Sequence, residues 1–472
     1  MLFNSLAFAV FFICFFSAWP FVSQVRWLRC WVIFGASLVF YGWWSAWFVL
    51  LLLGTGLFDF LTALAIQRWP KYSRILLCCS LFTNLGTLAV FKYLDFFIAN
   101  LNSGFSLLGF TGSIPLAHLI LPVGISFYTF QSMSYTIDVY RGHLKPATNL
   151  GEYLAFVSMF PQLVAGPIVR AVDMLPALAE APKMSPEGRW SGFQWIVHGY
   201  FKKMVIADNL APIVDSAFAS HAASHSSGFW WCIVVMFAFQ IYCDFSGYSD
   251  IARGLGEWMG YRFPINFSHP YTAVGFRDFW SRWHMSLSTW FRDYVYFPLG
   301  GNRRGVLRTH VNLWITMLIS GFWHGASWTF ILWGAVHAAL LSVEQWTNWA
   351  ERIRKLGWFG RVIGGGVTFV LVCFTWVLFR AESLSQSATI LYAMCTPWLT
   401  GGIDLVSQFG VLPIGLVVMI MLREAYFLTG INQLPGMNSD KFNYARSLSL
   451  AATIVVTIFL RGPGQSFVYF QF

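Results

Sequence analysis

Two histidines are candidates for chemistry because each lies in otherwise apolar, tryptophan-rich sequence: His284 within residues 279–286 and His324 within residues 321–328. An ionisable side chain at membrane depth is costly, so it is a functional-site hypothesis by default. Residues 292–308, between the two histidines, carry several arginines. This combination indicates proton transfer next to an anionic ligand.

Each histidine has a functional and a structural interpretation. A buried neutral imidazole has one donor and one acceptor nitrogen, so His324 can take a proton from a hydroxyl. The adjacent Gly325 would let another backbone or a ligand approach closely. The alternative is a structural histidine bonded to a neighbouring helix. His284, which precedes Ser286 and Ser288, can orient a substrate, polarise a carbonyl or stabilise an oxyanion. Histidines are also ordinary at membrane interfaces.

The arginines Arg303, Arg304 and Arg308 follow the turn-forming sequence Gly300, Gly301 and Asn302. A flexible glycine turn with guanidinium groups suits bidentate phosphate recognition. The alternative is a basic loop that only orients the chain in the membrane, because cytoplasmic loops are enriched in such residues.

A second polar group lies on one predicted helix. Gln240, Asp244 and Tyr248 recur every four residues and therefore share one helix face. They can line a polar cavity or brace a histidine, or they can simply tie helices together. Residues 161–170 contain two prolines and a glycine and predict a broken helix, which either lines a cavity or forms a surface loop.

Composition identifies the class of protein that must position these residues. Of the 472 residues, 57% are hydrophobic and only 11% are charged, which is typical of a membrane protein with many spans. The net charge of +10 is better explained by basic loops that orient helices than by nucleic-acid binding. The eight cysteines form no CxxC pair and predict neither a metal site nor a disulfide framework. The first residues lack the basic region of a cleaved signal peptide, so we expect the first apolar run to be retained as a span.

Apolar runs of the length needed to cross a bilayer predict about 11 to 13 transmembrane or re-entrant helices. We expect them near residues 3–21, 30–46, 47–66, 75–98, 114–139, 153–169, 190–218, 229–259, 311–343, 362–379, 405–428 and 447–460. No internal repeat is visible. The sequence thus predicts one all-α polytopic membrane domain over residues 1–472, with N-terminal helices at about 1–140, a catalytic core at about 150–345 and C-terminal helices at about 362–472.

Basic loops set the expected orientation. They follow the first, third and fifth predicted spans, at Arg26 and Arg29, at Arg68, Lys71 and Arg74, and at Arg141 and Lys145. If these loops face the cytoplasm, the N-terminus lies on the other side. Residues 267–308 are too charged for a plain span and should lie at the interface or be covered by protein. Asp278 and Arg282 are four residues apart and can pair on one helix face.

The sequence around the residues described above resembles the membrane-bound O-acyltransferase (MBOAT) family. The resemblance is to its bacterial branch in particular, which includes the alginate O-acetyltransferase membrane subunit. The similarity runs over nearly the whole chain. The matching stretches are residues 121–128, 161–170, 201–203, 207–209, 242–250, 277–292, 323–328 and 467–472.

The resemblance implies a ring of helices around a central tunnel in the bacterial inner membrane, and the basic loops then place the N-terminus in the periplasm. It implies that His324 is the essential histidine and that His284 occupies the second active-site position. Acetyl-CoA, or another acyl-CoA, would be a co-substrate, with no bound cofactor or metal. We expect the donor to be bound by Arg303, Arg304, Arg308 and Arg282, and the tunnel to be lined by Gln240, Asp244, Tyr248, Trp323 and Ser288.

The expected function is transfer of an acetyl group from cytoplasmic acyl-CoA to a hydroxyl of an extracytoplasmic polysaccharide such as alginate, cellulose or peptidoglycan. Transfer would be direct or through a periplasmic relay protein, beside a polysaccharide synthase or export complex and within the lipid bilayer. The alternatives are a transporter or flippase, which paired inverted repeats would favour, and a scaffold of a polysaccharide export machine.

Overall fold

The computed structural model of the protein describes residues 1–396, 405–429 and 440–468. Over these residues the regular elements are helices, and no strand occurs among them. The all-α prediction is therefore confirmed. The last four residues of the 467–472 motif lie outside the described part of the chain.

Helices follow one another closely along the first half of the chain. They are α1 (Leu6–Val22), α2 (Arg26–Gly42), α3 (Ala46–Arg68), α4 (Ser73–Leu88), α5 (Leu94–Leu107), α6 (Ile125–Tyr140), α7 (Leu150–Ser158), α8 (Phe160–Leu163), α9 (Ala171–Ala179), α10 (Pro186–Tyr200) and α11 (Asp208–Ala219). Short 3₁₀ turns occur at Pro70–Tyr72 and Ala222–Ser224, and π turns at Ala89–Tyr93 and Phe201–Ala207.

The second half mixes long helices with short ones. They are α12 (Ser227–Met259), α13 (Phe276–Trp280), α14 (Met285–Phe291), α15 (Val306–His324), α16 (Trp328–Thr347), α17 (Trp349–Arg354), α18 (Gly357–Arg380), α19 (Leu384–Cys395), α20 (Leu405–Phe409), α21 (Val411–Thr429) and α22 (Asp440–Phe459). A 3₁₀ turn lies at Pro270–Thr272 and a π turn at Arg292–Tyr296.

The helices form two compact units. The first contains Met1–Ile196 and Ile251–Pro264, and the second contains Val197–Asp250 and Ile265–Phe472. Both histidines of interest belong to the second unit. The predicted single domain over residues 1–472 and the tunnel-containing ring stay predictions.

Four helical stretches in the described residues are long and apolar enough to cross a membrane by length and composition. They are Ala46–Arg68, Pro70–Leu107, Ser227–Met259 and Gly357–Arg380. Two shorter apolar helices, Leu6–Val22 and Ser447–Phe459, accompany them.

Three predicted spans were wrong in detail, and one of them, residues 405–428, is interrupted at Gly410, whose φ is +79°. Residues 114–139 do not form one helix, because Pro115 and Pro122 lack the backbone donor a helix needs and Gly124 has a φ of +77°. Helix α6 therefore begins only at Ile125. Residues 311–343 were expected as one span, but the chain leaves the helix after His324 and restarts at Trp328, where the Ser327 hydroxyl accepts the N–H of Thr329 at 3.3 Å.

Other sequence features were confirmed. The helix in residues 153–169 is broken, as predicted, because α7 ends at Ser158 and the short α8 is followed by irregular chain. Residues 267–308 contain only short helices and turns rather than a plain span. Arg282 donates to Asp278 at 2.6 Å, as their spacing predicted.

Helices α15 and α16 approach until their backbones touch. A Cβ atom added to Gly321 would lie 2.3 Å from the carbonyl oxygen of Phe330, and one added to Gly334 would lie 2.4 Å from that of Met317. Any larger side chain at either position would force the helices apart. The two helices therefore form a tight hairpin whose turn follows His324.

Tryptophans form the core beside this hairpin. Trp283, Trp333 and Trp376 are each almost fully buried. The ring of Trp376 lies 4.9 Å from that of Trp283 and 6.4 Å from that of Trp333. Large aromatic side chains bury much apolar area and have few rotamers, so this cluster fixes α16, α18 and the segment leading to His284.

Candidate active site

His284 lies at the break between α13 and α14. It is the N-cap residue of α14, with φ +43° and ψ +53°, a left-handed conformation that is uncommon outside glycine. Its side chain makes no capping hydrogen bond. Asn266 caps the helix instead, because its carbonyl oxygen accepts the N–H of Met285 at 2.9 Å and its Oδ1 accepts the N–H of Ser286 at 3.2 Å. The helix start is thus stabilised without the imidazole of His284.

The imidazole of His284 is fully buried among aromatic rings. Its ring centroid lies 4.5 Å from that of Phe245 in an edge-on arrangement, 6.3 Å from that of Phe267 and 6.2 Å from that of Trp323. Such walls keep bulk water away from a reacting group.

His324 is the last residue of α15 and is 3% exposed. Its ring lies 5.0 Å from Trp323, 5.1 Å from Trp333 and 5.3 Å from Phe379. The next residue, Gly325, is extended, and an added Cβ atom would lie 2.2 Å from the Phe330 ring. The close approach expected at Gly325 is therefore made by a side chain of the protein itself.

Trp323 brings the two histidines into one neighbourhood. Its ring centroid lies 5.0 Å from that of His324 and 6.2 Å from that of His284. The two imidazole centroids can therefore be no farther apart than the sum of these distances. A substrate group held against Trp323 would be close to both.

The predicted polar face of α12 is buried, since Gln240, Asp244 and Tyr248 are 3%, 1% and 7% exposed. Asp244 lies 2.7 Å from the ammonium of Lys203, which also lies 2.8 Å from Asp208. Asp208 and Asp244 are buried, and the Lys203 side chain is 11% exposed. Asp244 thus belongs to a group of one cation and two carboxylates, in which each charge has an opposite partner.

Sequence reasoning assigned no role to Lys203 or Asp208. The signal available in the sequence was the presence of charges in an apolar stretch. In the structure, the π turn Phe201–Ala207 carries the lysine. Such turns are frequent at functional sites.

The C-terminal segment also reaches this face of α12. The N–H of Val468 donates to Asp244 Oδ2 at 2.6 Å, and the N–H of Gly462 donates to the carbonyl oxygen of Met204 at 2.8 Å. The ring of Phe467 lies 5.6 Å from that of Phe245, the same ring that lies against His284. One aromatic side chain therefore separates the C-terminal segment from the imidazole.

The arginines expected to bind the acyl donor lie in two places. Arg303, Arg304 and Arg308 are exposed around a turn in which Gly300, Gly301 and Gly305 all have positive φ. The amide of Asn312 donates to the carbonyl oxygen of Gly301 at 2.9 Å and holds this turn against α15. The three guanidinium groups can therefore meet a ligand at the surface.

Arg282 and Ser288 are engaged within the protein. The Arg282 guanidinium donates to Asp278 at 2.6 Å and to the Thr272 hydroxyl at 3.2 Å. The Ser288 hydroxyl donates to the carbonyl oxygen of Trp283 at 3.2 Å. These three contacts support the segment around His284.

Two other buried histidines have structural partners. Nε2 of His337 lies 3.1 Å from the Thr375 hydroxyl, and Nε2 of His310 accepts the indole N–H of Trp346 at 2.8 Å. Nδ1 of His310 lies 3.2 Å from the Ser342 hydroxyl. These bonds link neighbouring helices, so we interpret both residues as structural.

Comparison with known proteins identifies the family. Residues 141–379 match the membrane-bound O-acyltransferase (MBOAT) family. A probable alginate O-acetylase AlgI of Pseudomonas aeruginosa is 38% identical over 442 residues, covering 90% of this chain and 81% of the relative. A peptidoglycan O-acetyltransferase of Helicobacter pylori is 37% identical, covering 78% and 73% of the two chains.

A teichoic acid D-alanyltransferase of Streptococcus thermophilus is similar over a shorter stretch, with 31% identity over 49% of this chain and 59% of the relative. The family match contains both histidine segments, the lysine–carboxylate group, the membrane-length helix Ser227–Met259 and all but the last residue of Gly357–Arg380. The chain belongs to the membrane-bound O-acyltransferase family and is an O-acyltransferase of the membrane.

Proposed function

We propose that this enzyme transfers an acetyl group from cytoplasmic acetyl-CoA across the bacterial inner membrane to a hydroxyl outside the cytoplasm. The final acceptor is a polysaccharide such as alginate, cellulose or peptidoglycan, reached directly or through a periplasmic partner that relays the acetyl group. The names of the two relatives with the widest coverage described above, an alginate O-acetylase and a peptidoglycan O-acetyltransferase, support this choice. A polysaccharide synthase or export complex is the expected neighbour.

The carrying observation is that the ring of Trp323 lies next to both buried imidazoles, those of His284 and His324. An acyl transfer needs a base for the acceptor hydroxyl and stabilisation of the charge that develops on the thioester oxygen. Two imidazoles within reach of one substrate meet these two needs.

In the proposed reaction, His324 takes the proton of the acceptor hydroxyl while the oxygen attacks the thioester carbonyl carbon. The new C–O bond forms and the C–S bond breaks. The coenzyme A thiolate leaves and recovers the proton from the His324 imidazolium. His284 positions the donor or donates a hydrogen bond to the carbonyl oxygen. No bound metal or cofactor takes part.

Arg303, Arg304 and Arg308 are the proposed partners of the donor's phosphates. Their exposure leaves them available to a ligand from solution, and a guanidinium binds phosphate through two parallel hydrogen bonds. Arg282, which is paired with Asp278, would contribute mainly by supporting the His284 segment.

The test is acetyl-CoA turnover by the purified protein in nanodiscs, with and without candidate periplasmic partners. We expect His324→Ala to lower turnover by at least about a hundredfold. His143→Ala is the control, because its side chain is 64% exposed and lies in the first unit. Thermal unfolding shows whether each variant is folded. Normal turnover by folded His324→Ala would refute the assignment of the base.

The donor is tested separately by replacing Arg303, Arg304 and Arg308 with glutamine together. We expect a higher KM for acetyl-CoA with little change in kcat, because the phosphates lie far from the reacting carbon. If the wild-type protein consumes no acyl-CoA with any partner, the donor is wrong, and D-alanyl transfer or transport becomes the better hypothesis.

A further inference from the structure

A polar cavity of about 320 Å³ lies in the second unit, between α13, the end of α16 and α17. Its lining includes Arg277, Asp278, Glu344, Asn348, Glu351 and Arg354. Neither His284 nor His324 lines it. The volume is at the lower end of the range typical of small-ligand sites.

Most of the charged side chains in this cavity already form ion pairs or hydrogen bonds within the protein. Asp278 pairs with Arg282 at 2.6 Å and with Arg354 at 3.1 Å. Glu344 accepts the backbone N–H groups of Phe276 and Arg277. These interactions fix the walls of the cavity.

Two charges of opposite sign form no such bonds, although the Arg277 guanidinium interacts electrostatically with the Glu344 carboxylate. Within the described residues, the Arg277 guanidinium and the Glu351 carboxylate make no hydrogen bond or ion pair, either with each other or with another side chain. Arg277 lies on α13 and Glu351 on α17, and both are exposed. The cavity thus offers a cation that suits phosphate on one wall and an anion that suits an ammonium group on another.

The surroundings resemble a membrane interface. Trp346 and Trp358 are 66% and 71% exposed on either side of α17, and Arg352 and Lys355 add exposed positive charge. Tryptophan and basic residues of this kind are enriched where a protein meets lipid headgroups. These residues favour a lipid headgroup as the ligand of the cavity.

We propose that this cavity binds the headgroup of a phospholipid that carries both a phosphate and a primary ammonium, as in phosphatidylethanolamine. Arg277 binds the phosphate oxygens, and Glu351 accepts hydrogen bonds from the ammonium. The site adjoins α13, whose chain continues to His284, but the proposal does not depend on the acyl-transfer assignment.

Native mass spectrometry of the full chain in detergent tests the proposal, with phosphatidylethanolamine, phosphatidylglycerol and phosphatidylcholine titrated in turn. We expect wild type to bind one phosphatidylethanolamine in preference to the other two lipids. Arg277→Gln should weaken this binding about tenfold or more, because a charge-assisted hydrogen-bond pair is lost. Glu351→Gln should remove the preference for phosphatidylethanolamine over phosphatidylglycerol.

Arg352→Gln is the matched control. Arg352 is exposed on α17, the helix that carries Glu351, but it does not line the cavity. It should bind like wild type. Equal binding by wild type and Arg277→Gln would overturn the proposal, as would an equal loss in Arg352→Gln. Displacement of the lipid by an equal concentration of soluble phosphoethanolamine would overturn the lipid assignment in favour of a soluble ligand. Arg277→Lys, which keeps the charge, should retain intermediate affinity.

Discussion

The ring centroids of His284 and Trp323 lie 6.2 Å apart, although α14, a π turn and most of α15 separate the two residues along the chain. Trp323 also lies 5.0 Å from His324. The indole of Trp323 therefore packs beside both candidate catalytic imidazoles. Its size should control how well water is excluded from the space next to them.

Replacing Trp323 tests this wall. Trp323→Ala should raise the share of acetyl-CoA that is hydrolysed rather than transferred, because the space left by the indole admits water. Trp323→Phe keeps a ring and should retain most transfer. The measurement compares coenzyme A release with acetylated acceptor formed. An unchanged ratio in folded Trp323→Ala would contradict the proposed role.

The left-handed backbone at His284 limits which residues can replace it. Asparagine tolerates this conformation and still supplies an N–H donor, so His284→Asn should fold and retain part of the transfer activity. His284→Val should lose the activity and also about 1–2 kcal/mol of stability, because a β-branched residue is strained there. Thermal unfolding and acetyl transfer are measured for both variants. Equal melting temperatures would argue against backbone strain.

Asn266 is expected to act as a positioning residue. Asn266→Ala removes the side-chain acceptor at the start of α14 but keeps the backbone carbonyl, and it should cost about 1 kcal/mol of stability. Because His284 begins this helix, kcat should fall while KM for acetyl-CoA changes little. Asn266→Asp keeps an acceptor oxygen and should restore much of kcat. A purely structural role would lower stability in Asn266→Ala without this change in kcat.

Lys203 should matter more for stability than either carboxylate beside it. Lys203→Met leaves Asp208 and Asp244 buried without their cation and should cost about 3–5 kcal/mol. Asp208→Asn leaves the pair of Lys203 and Asp244 intact and should cost less. Thermal unfolding in detergent distinguishes the two. If Lys203→Met melts at the wild-type temperature, the lysine is not the main partner of these carboxylates.

Local rules predicted much of the helical structure. The spacing of Asp278 and Arg282 correctly gave an ion pair, and the prolines and glycine in residues 161–170 correctly gave a break. The division after His324 was missed, since Gly325, Ala326 and Ser327 form only a short interruption in an apolar run. A hydropathy average over a window of residues does not detect such a short interruption. The Ser327 cap and the close approach of α15 and α16 at Gly321 depend instead on backbone geometry.

The site was only partly predictable because much of it depends on distant partners. His284 and His324 were noticeable as ionisable groups in apolar sequence, but their common neighbour Trp323 became apparent only in three dimensions. The link between Asp244, Lys203 and Val468 joins parts of the chain that are far apart. The cap supplied by Asn266 is equally non-local, and no spacing rule relates it to His284.

The tight hairpin of α15 and α16 has a consequence for changing which acyl groups the enzyme accepts. The hairpin that carries His324 has backbones already in contact at Gly321 and Gly334, so it cannot close further or rearrange easily to admit a longer chain. On α18, by contrast, Phe379 presents only a side chain, 5.3 Å from the imidazole. Engineering for bulkier donors should therefore begin with smaller residues at position 379, and natural diversification of this site is expected to follow the same route.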